Sequence, residues 1–442
     1  MKKGLQSLEF SFDADCLTHY GGLFLIQRFC KSLDFRRRLG RHWRAAPGAS
    51  AFAPVDMIQL LLFLLIAGVQ RVHKSDKLQY DGFFLALLGW ETMPDESTLR
   101  RFLQRLSPEA IRQLVRWHDQ LRRELFAFPR PRSTLEFHLD SVVLPLYGKQ
   151  PGAHVGYNPK AKGRPSYHPL LCFEGHGQEF WHGSLRPGDA GANTGARHFV
   201  RRCLEKVPSS IARSRIRWLA DAGFFSGALV DDLDQWGCGY TIVGRNYEAY
   251  QHLADQAGFT EMNNGWGFAE FSHHPQKWRQ AHRFIAIRRP LPVDPLEVSQ
   301  LTLFTDTHYS YSMLVSNLRL TPWRTWTDYI GRANIEKSIR ELLNELALSK
   351  IPTQNWTANV AFFQLLLLAY NLVHWFKRRC LPEAKLGTTV ETLRHQLFGI
   401  PAKLVCRSGK NVLVMPRQYH HQEEFLAAVA RLENLEPPKR KS

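Results

Sequence analysis

The sequence predicts a multidomain α+β protein, and three observations carry that prediction. The first 132 residues have helical texture, residues 133–246 alternate strand and helix, and 247–324 are rich in strand-formers divided by polar and Pro-containing turns. Helical periodicity then returns over 325–380 and continues through 381–442 to a basic tail, Lys439-Arg440-Lys441. A chain of 442 residues has room for two or three domains of roughly 100–200 residues each. With 44% hydrophobic and 12% aromatic residues it has ample apolar mass for buried cores, which excludes a disordered or low-complexity class.

In the first region, Pro54 opens an apolar helix over Val55–Val69. Asp95 and Ser97 are N-cap candidates for a helix through Leu103, and Ser107-Pro108-Glu109 starts another that runs to Leu125. Arg112, Arg116, Arg122 and Arg123 on this last helix form either a solvated face or a phosphate-facing one. Pro129-Arg130-Pro131-Arg132 reads as a linker.

Beyond it, Thr134–Tyr147 alternates and is rich in β-formers, predicting one or two strands. Leu171–Phe173 and Phe180–Leu185 are further strands, followed by a helix over Ala196–Lys206. The strand Ile216–Ala220, the helix Ser226–Gln235 and the strand Tyr240–Val243 form a βαβ unit, so these two strands should be parallel neighbours. Within 247–324, strands are expected at Trp266–Phe271, Arg283–Arg289, Leu301–Phe304 and Tyr309–Val315. Arg332–Leu348 has strong helical periodicity.

Seven cysteines at wide spacings, without a C-x-x-C, indicate neither a disulfide framework nor a four-ligand zinc site. Reduced thiols in the cytoplasm are the expectation. The N-terminus is not a signal peptide, because Glu9, Asp13 and Asp15 interrupt it. Met57–Val69 is too short for a bilayer, which needs about 20 residues. Ile351–Phe376 is uncharged but carries Gln354, Asn355, Gln364, Asn371 and His374, which suits a buried helix and not a membrane span.

Lys and Arg total 58 against 40 Asp and Glu, a net charge of +18. A surplus of that size points to a polyanionic partner, and first to nucleic acid. Three carboxylates stand out against it. Asp140 lies in a strand-like run, and Asp221 sits where Arg217–Ala220 ends and Gly223 allows a sharp turn. Ligands bind at the carboxyl ends of strands in α/β sheets. Glu336 has Arg332 one helical turn before it and Arg340 one turn after, a pattern that also fits a surface ion-pair ladder. Gathered together, such acids would repel one another unless cations held them. Carboxylates are the hard-oxygen ligands Mg²⁺ prefers, and two such ions can clamp a phosphodiester during in-line displacement.

The residues around these acids resemble a known family. Leu139-Asp140-Ser141, Tyr147-Gly148-Lys149-Gln150, Gly156–Lys160 and Gly163–Leu170 look like the first catalytic block of DDE-type bacterial insertion-sequence transposases. Ala220–Phe225 resembles the second block. Tyr329, Arg332 and Glu336 match the third, a Tyr-x2-Arg-x3-Glu signature on a helix. The resemblance runs from about residue 10 to 430.

It implies a ribonuclease-H-like mixed-sheet catalytic core, split into 133–246 and 325–380 by a β-rich insertion at 247–324 and flanked by N- and C-terminal helical regions. It further implies that Asp140, Asp221 and Glu336 are the catalytic residues and bind two Mg²⁺ ions, with Mn²⁺ able to substitute. Tyr329, Arg332 and Arg340 would then meet DNA. The implied reaction is cut-and-paste transposition: binding of the terminal inverted repeats, cleavage of the ends and strand transfer into target DNA. The enzyme would act as a homodimer on double-stranded DNA, in the bacterial cytoplasm at the nucleoid and without a membrane. A structure-selective nuclease on the same core, or a non-catalytic DNA-binding derivative, are the rival readings.

Two departures accompany the match. Seven residues after Glu336, where the signature has Lys, this chain has Leu343; Lys337, Arg340 and Lys350 are the nearest cations. Position 138 is His where an acid is usual. Between Ser141 and Phe173 there is no acid, while Lys149, Lys160, Lys162 and Arg164 are interleaved with Tyr147, Tyr157 and Tyr167. This run is either a solvated hairpin or a DNA-contacting loop whose cations neutralise phosphates and whose tyrosines stack on bases. Trp266, Trp278, Trp323 and Trp326 fit a buried aromatic core, and the resemblance adds that one such Trp can stack on a flipped base.

Overall fold

The structure is a computed structural model and describes residues 10–12, 16–43, 52–126, 134–159, 161–262, 264–291 and 309–435. The chain divides into two compact units, one formed by residues 127–339 and the other by 1–126 together with 340–442.

The first of these is built on a nine-stranded sheet. Its strands are β1 (Leu135–Ser141), β2 (Leu170–Glu174), β3 (Glu179–Ser184), β4 (Ile216–Ala220), β5 (Gly239–Val243), β6 (Thr260–Glu261), β7 (Gly267–His273), β8 (His282–Pro290) and β9 (Tyr309–Ser316). Their order across the sheet is β6-β7-β8-β9-β5-β4-β1-β2-β3. β1, β2 and β3 are antiparallel neighbours, while β1 pairs parallel with β4 and β4 parallel with β5. The strand order 3-2-1-4-5 with these directions is a ribonuclease-H-like mixed sheet, the fold class expected. Its centre is formed by β-branched and aromatic side chains: Phe137, Trp218, Trp181, Tyr240 and Ile242 are all at least 97% buried. The β4–helix–β5 unit holds the parallel pairing read from the sequence, with the helix at Gly227–Gln235 between the strands.

The strand-rich segment interrupts the core in sequence and extends its sheet in space. β9 pairs antiparallel with β5, Val315 facing Ile242, and β8 and β7 add outward from there. The segment also contains a helix, Glu248–Ala257, that its texture did not suggest. The strand expected at Leu301–Phe304 lies outside the described residues. Ile285, Ile287 and Leu314 form an apolar cluster that Trp266, Trp326 and Tyr329 pack against, and Trp278 lies among Phe225, Phe284 and His282. All four tryptophans are half-buried, three of them in these aromatic and apolar contacts, and Trp323 meets Trp266 edge to face.

The other unit is centred on the helix Trp356–Cys380, which packs against Leu23–Ser32, Pro54–Ala67, Glu96–Arg105, Pro108–Leu125 and Gln422–Glu433. It is the one unbroken described helix long and apolar enough to cross a membrane, yet 83% of its apolar window is buried by protein. Its polar residues serve the fold: Asn355 Oδ1 accepts from the Ala358 amide, and Asn371 Nδ2 donates to His118 Nε2 at 2.9 Å. On the Pro108–Leu125 helix, Arg112 and Arg116 both pair with Glu109, and Arg122 is buried beside Asp119.

Two expectations are corrected here. Residues 381–442 are not all helical, because Ala402–Arg407 and Lys410–Val414 form an antiparallel hairpin. The helix expected through Leu348 keeps α geometry only over Ala333–Arg340, then widens into a π turn at Glu341–Glu345 before Ala347 takes a positive φ of 67°.

Candidate active site

Asp140 is the sixth residue of β1, and Asp221 directly follows β4. The strands are parallel with Leu139 opposite Ala220, so the two aspartates stand side by side at the carboxyl ends of adjacent strands, spaced about 4.8 Å across the ladder. Asp221 is fixed by its own turn: its Oδ1 accepts from the Gly223 amide at 3.0 Å and starts a single 3₁₀ turn over Ala222–Phe224. Gly223 has no room for a side chain, since a Cβ there would lie 2.8 Å from the Ala192 Cβ and 3.1 Å from Asp221 Oδ1.

Glu336 lies in the first turn of the helix Ala333–Arg340 and is exposed. One turn earlier Arg332, 8% exposed, reaches the sheet and donates from its Nη2 to the Leu139 carbonyl and to Asp140 Oδ2, both at 2.9 Å. Arg332 Nε is buried and has no hydrogen-bond partner. Tyr329 stacks on Trp326 with ring centroids 6.3 Å apart, and its hydroxyl lies beside Arg332.

Electrostatics tie these groups together. Burial pushes the Asp140 carboxyl up to about 6; Arg332 opposes that, and the negative charges of Asp221 and Glu336 add to it. Arg332 is in turn held more firmly charged, since Asp140, Tyr329, Asp221 and Glu336 outweigh its burial. Among the described residues no three His, Cys, Asp or Glu side chains form a preassembled metal cluster. The donor set nonetheless suits a hard divalent cation: Asp221 and Glu336 both lie within electrostatic reach of Asp140, which is raised by burial and by these acidic neighbours. The cation now on Asp140 is Arg332.

A layer behind the acids was not legible as such. The Ser141 amide donates to Asp140 Oδ1 at 2.7 Å. His168 Nδ1 faces the Ala190 carbonyl at 2.7 Å, so Nε2 accepts from the Ser141 hydroxyl at 3.1 Å. Burial holds His168 below the ordinary histidine range, and the Arg186 charge adds to that. Arg186 is lowered by burial to about 10 and donates to the carbonyls of His168, Gly191 and Thr194. His138 shares a sheet face with Asp140, two residues away; it is buried and bonded to Glu136 at 2.7 Å.

The acid-free run following β1 forms a small sheet of Leu144–Pro145, Pro165–Tyr167 and His154–Val155. Lys149 and Lys162 are exposed, and Arg164 lies over the ring of Tyr147 at 4.4 Å from its centroid. Tyr147 and Tyr157 are 88% and 74% exposed, whereas Tyr167 is buried. Lys160 lies outside the described residues. Arg340, at the end of the Ala333–Arg340 helix, is exposed, Lys337 is half-buried, and so is Leu343.

Comparisons with known proteins complete the description. Residues 2–437 match the family described as transposase DDE domain group 1. No curated protein matches the sequence. Among solved structures, a piggyBac transposase synaptic complex with hairpin DNA is similar at 11% identity, covering 86% of this chain and 79% of that one, with a TM-score of 0.45.

Proposed function

Because this chain belongs to the transposase DDE domain group 1 family, we propose that it is the transposase of a bacterial insertion sequence. In this reading it binds the terminal inverted repeats of its element as a homodimer in the cytoplasm, cleaves the ends in a Mg²⁺-dependent reaction and joins the freed ends to target DNA. The observation that carries the reading is the placing of Asp140 and Asp221 at the ends of parallel neighbours, with Glu336 close enough to raise Asp140.

Asp140, Asp221 and Glu336 would hold two divalent ions, with Mn²⁺ able to replace Mg²⁺. Bound there, such ions lower the pKa of an attacking hydroxyl and offset the charge on the leaving oxygen. The remaining work falls to side chains of this chain. Ser141 and Gly223 amides fix one oxygen of each aspartate, so neither carboxylate has to be ordered when DNA arrives. Neutral His168 holds the Ser141 hydroxyl and, through it, the end of β1. Arg332 keeps Asp140 in place, with Tyr329 beside it. Lys149, Lys160, Lys162 and Arg164, with Arg340, would contact the DNA backbone, and the exposed Tyr147 and Tyr157 offer faces for bases.

The test is cleavage of a linear duplex carrying the element's own ends, with Mg²⁺ and with EDTA. Cleavage at the end junction only with Mg²⁺ supports the reading. Binding without cleavage returns the chain to a non-catalytic DNA-binding derivative.

A further inference from the structure

We propose that the hairpin Ala402–Arg407/Lys410–Val414 is a second DNA-contacting element, a cationic ribbon that enters a groove of the duplex. The inference rests on the proposed function in that DNA is the partner, but it names a surface which neither the family's acidic residues nor the loop after β1 includes.

The first argument is charge. No Asp or Glu occurs between Glu391 and Glu423, while Arg394, Lys403, Arg407, Lys410 and Arg417 lie between them. Arg394 is internal and donates to the carbonyls of Ile66 and Glu345. The other four are exposed, and their side chains have no ion pair or hydrogen bond among the described residues. On the helices of the same unit several cations are already matched: Arg36 with Asp56, Arg37 with Asp34, Arg38 with Glu124, Arg100 with Glu96, and Arg112 and Arg116 with Glu109. An arginine bound to its own acid must break that pair to take a phosphate. The hairpin cations have no such cost.

The second argument is shape. Ser408 and Gly409, with φ of 50° and 73°, make the tight two-residue turn that matches the strand twist. Arg407 and Lys410 face each other across it. Lys403 is four residues back on the same face as Arg407, about 13 Å along the strand. The short strand Leu17–Thr18 pairs with Lys403 and Ala402, and the Cys16 carbonyl accepts from the Leu404 amide, so beyond Leu404 the ribbon is two strands wide. The major groove admits a two-stranded ribbon, and cations at its tip and base would meet phosphates flanking the groove. Lysines on an exposed strand can instead serve only to block edge-to-edge pairing, and that is the alternative the experiment addresses.

The full-length protein is titrated by fluorescence anisotropy against a short random-sequence duplex over a salt series. Replacing Lys403, Arg407 and Lys410 together by Ala should weaken binding and shallow the log–log salt slope by about 2–3 units, at roughly 0.9 per phosphate lost. Arg112→Ala with Arg116→Ala, which removes cations already paired, should leave the slope unchanged. A second readout needs no substitution. Cys406 is the one exposed cysteine of the seven, and it precedes Arg407 on the opposite face of the ribbon, which a groove would also flank. A photoreactive group attached to its thiol should crosslink to duplex DNA at low salt. An unchanged slope in the triple variant, or no crosslink from Cys406, overturns the proposal while wild-type binding stands. Failure of the wild-type protein to bind duplex DNA at all would instead refute the proposed function.

Discussion

Replacing Asp140 with Asn should make the metal-free protein more stable at neutral pH. Burial and two acidic neighbours raise the Asp140 carboxyl from 3.8 to about 6, even with Arg332 against it. The folded state therefore binds this proton more tightly than the unfolded chain. The contribution of Asp140 to stability is largest below pH 4 and is lost as pH rises through 6. A shift of about 2 units, at 1.36 kcal/mol each, makes the ionised carboxylate about 3 kcal/mol unfavourable above pH 7. Arg332 is already included in that shift, and Asn, like the protonated acid, can still accept its hydrogen bond. At roughly 2–4 °C per kcal/mol for a unit of this size, Asp140→Asn should melt about 6–12 °C higher at pH 7.5. The gain should shrink toward zero as pH falls to 4. Differential scanning fluorimetry in EDTA from pH 4.5 to 8 measures it directly. Equal or lower melting of the variant throughout would refute the claim that this carboxylate is held against its own charge.

Further outcomes follow from the same geometry. Asp221→Asn and Glu336→Gln should each reduce Mg²⁺-dependent cleavage by more than about 100-fold, with end binding by gel shift nearly intact. Gly223→Ala places a Cβ 2.8 Å from Ala192 and should lower both melting temperature and cleavage, whereas Ala192→Gly in the same chain should recover part of both. Changing Lys149, Lys162 and Arg164 together to Ala should shallow the salt slope of DNA binding by about 2–3 units without altering discrimination between cognate ends and random duplex.

Much of the sheet was legible because local pattern and topology agree. The Ile216–Ala220 and Tyr240–Val243 runs flank a helix of the right length, and a right-handed crossover leaves few places for the second strand. The position of Asp221 followed, since the strand ends where Gly223 permits the turn. What escaped depends on contacts distant in sequence. His168 meets Ser141 from 27 residues away, and nothing near either residue marks that bond. Arg332 carries a family signature, but its bonds to Asp140 and Leu139 span more than 190 residues. The strand texture of 247–324 was plain, while its continuation of the core sheet rests on β9 pairing with β5. The C-terminal hairpin had local signals, alternation around Val405 and Val412 and a Ser-Gly turn, within a region otherwise helical.

The most direct test of the account is strand transfer. Purified protein is given Mg²⁺, a pre-cleaved duplex of the element's end with a free 3′-hydroxyl, and a supercoiled target plasmid. The account predicts covalent joining of the end to the plasmid, absent with EDTA and absent in Asp140→Asn and Asp221→Asn. Cleavage of DNA without joining would leave a nuclease on the same sheet, and joining that survives loss of both aspartates would contradict the site itself.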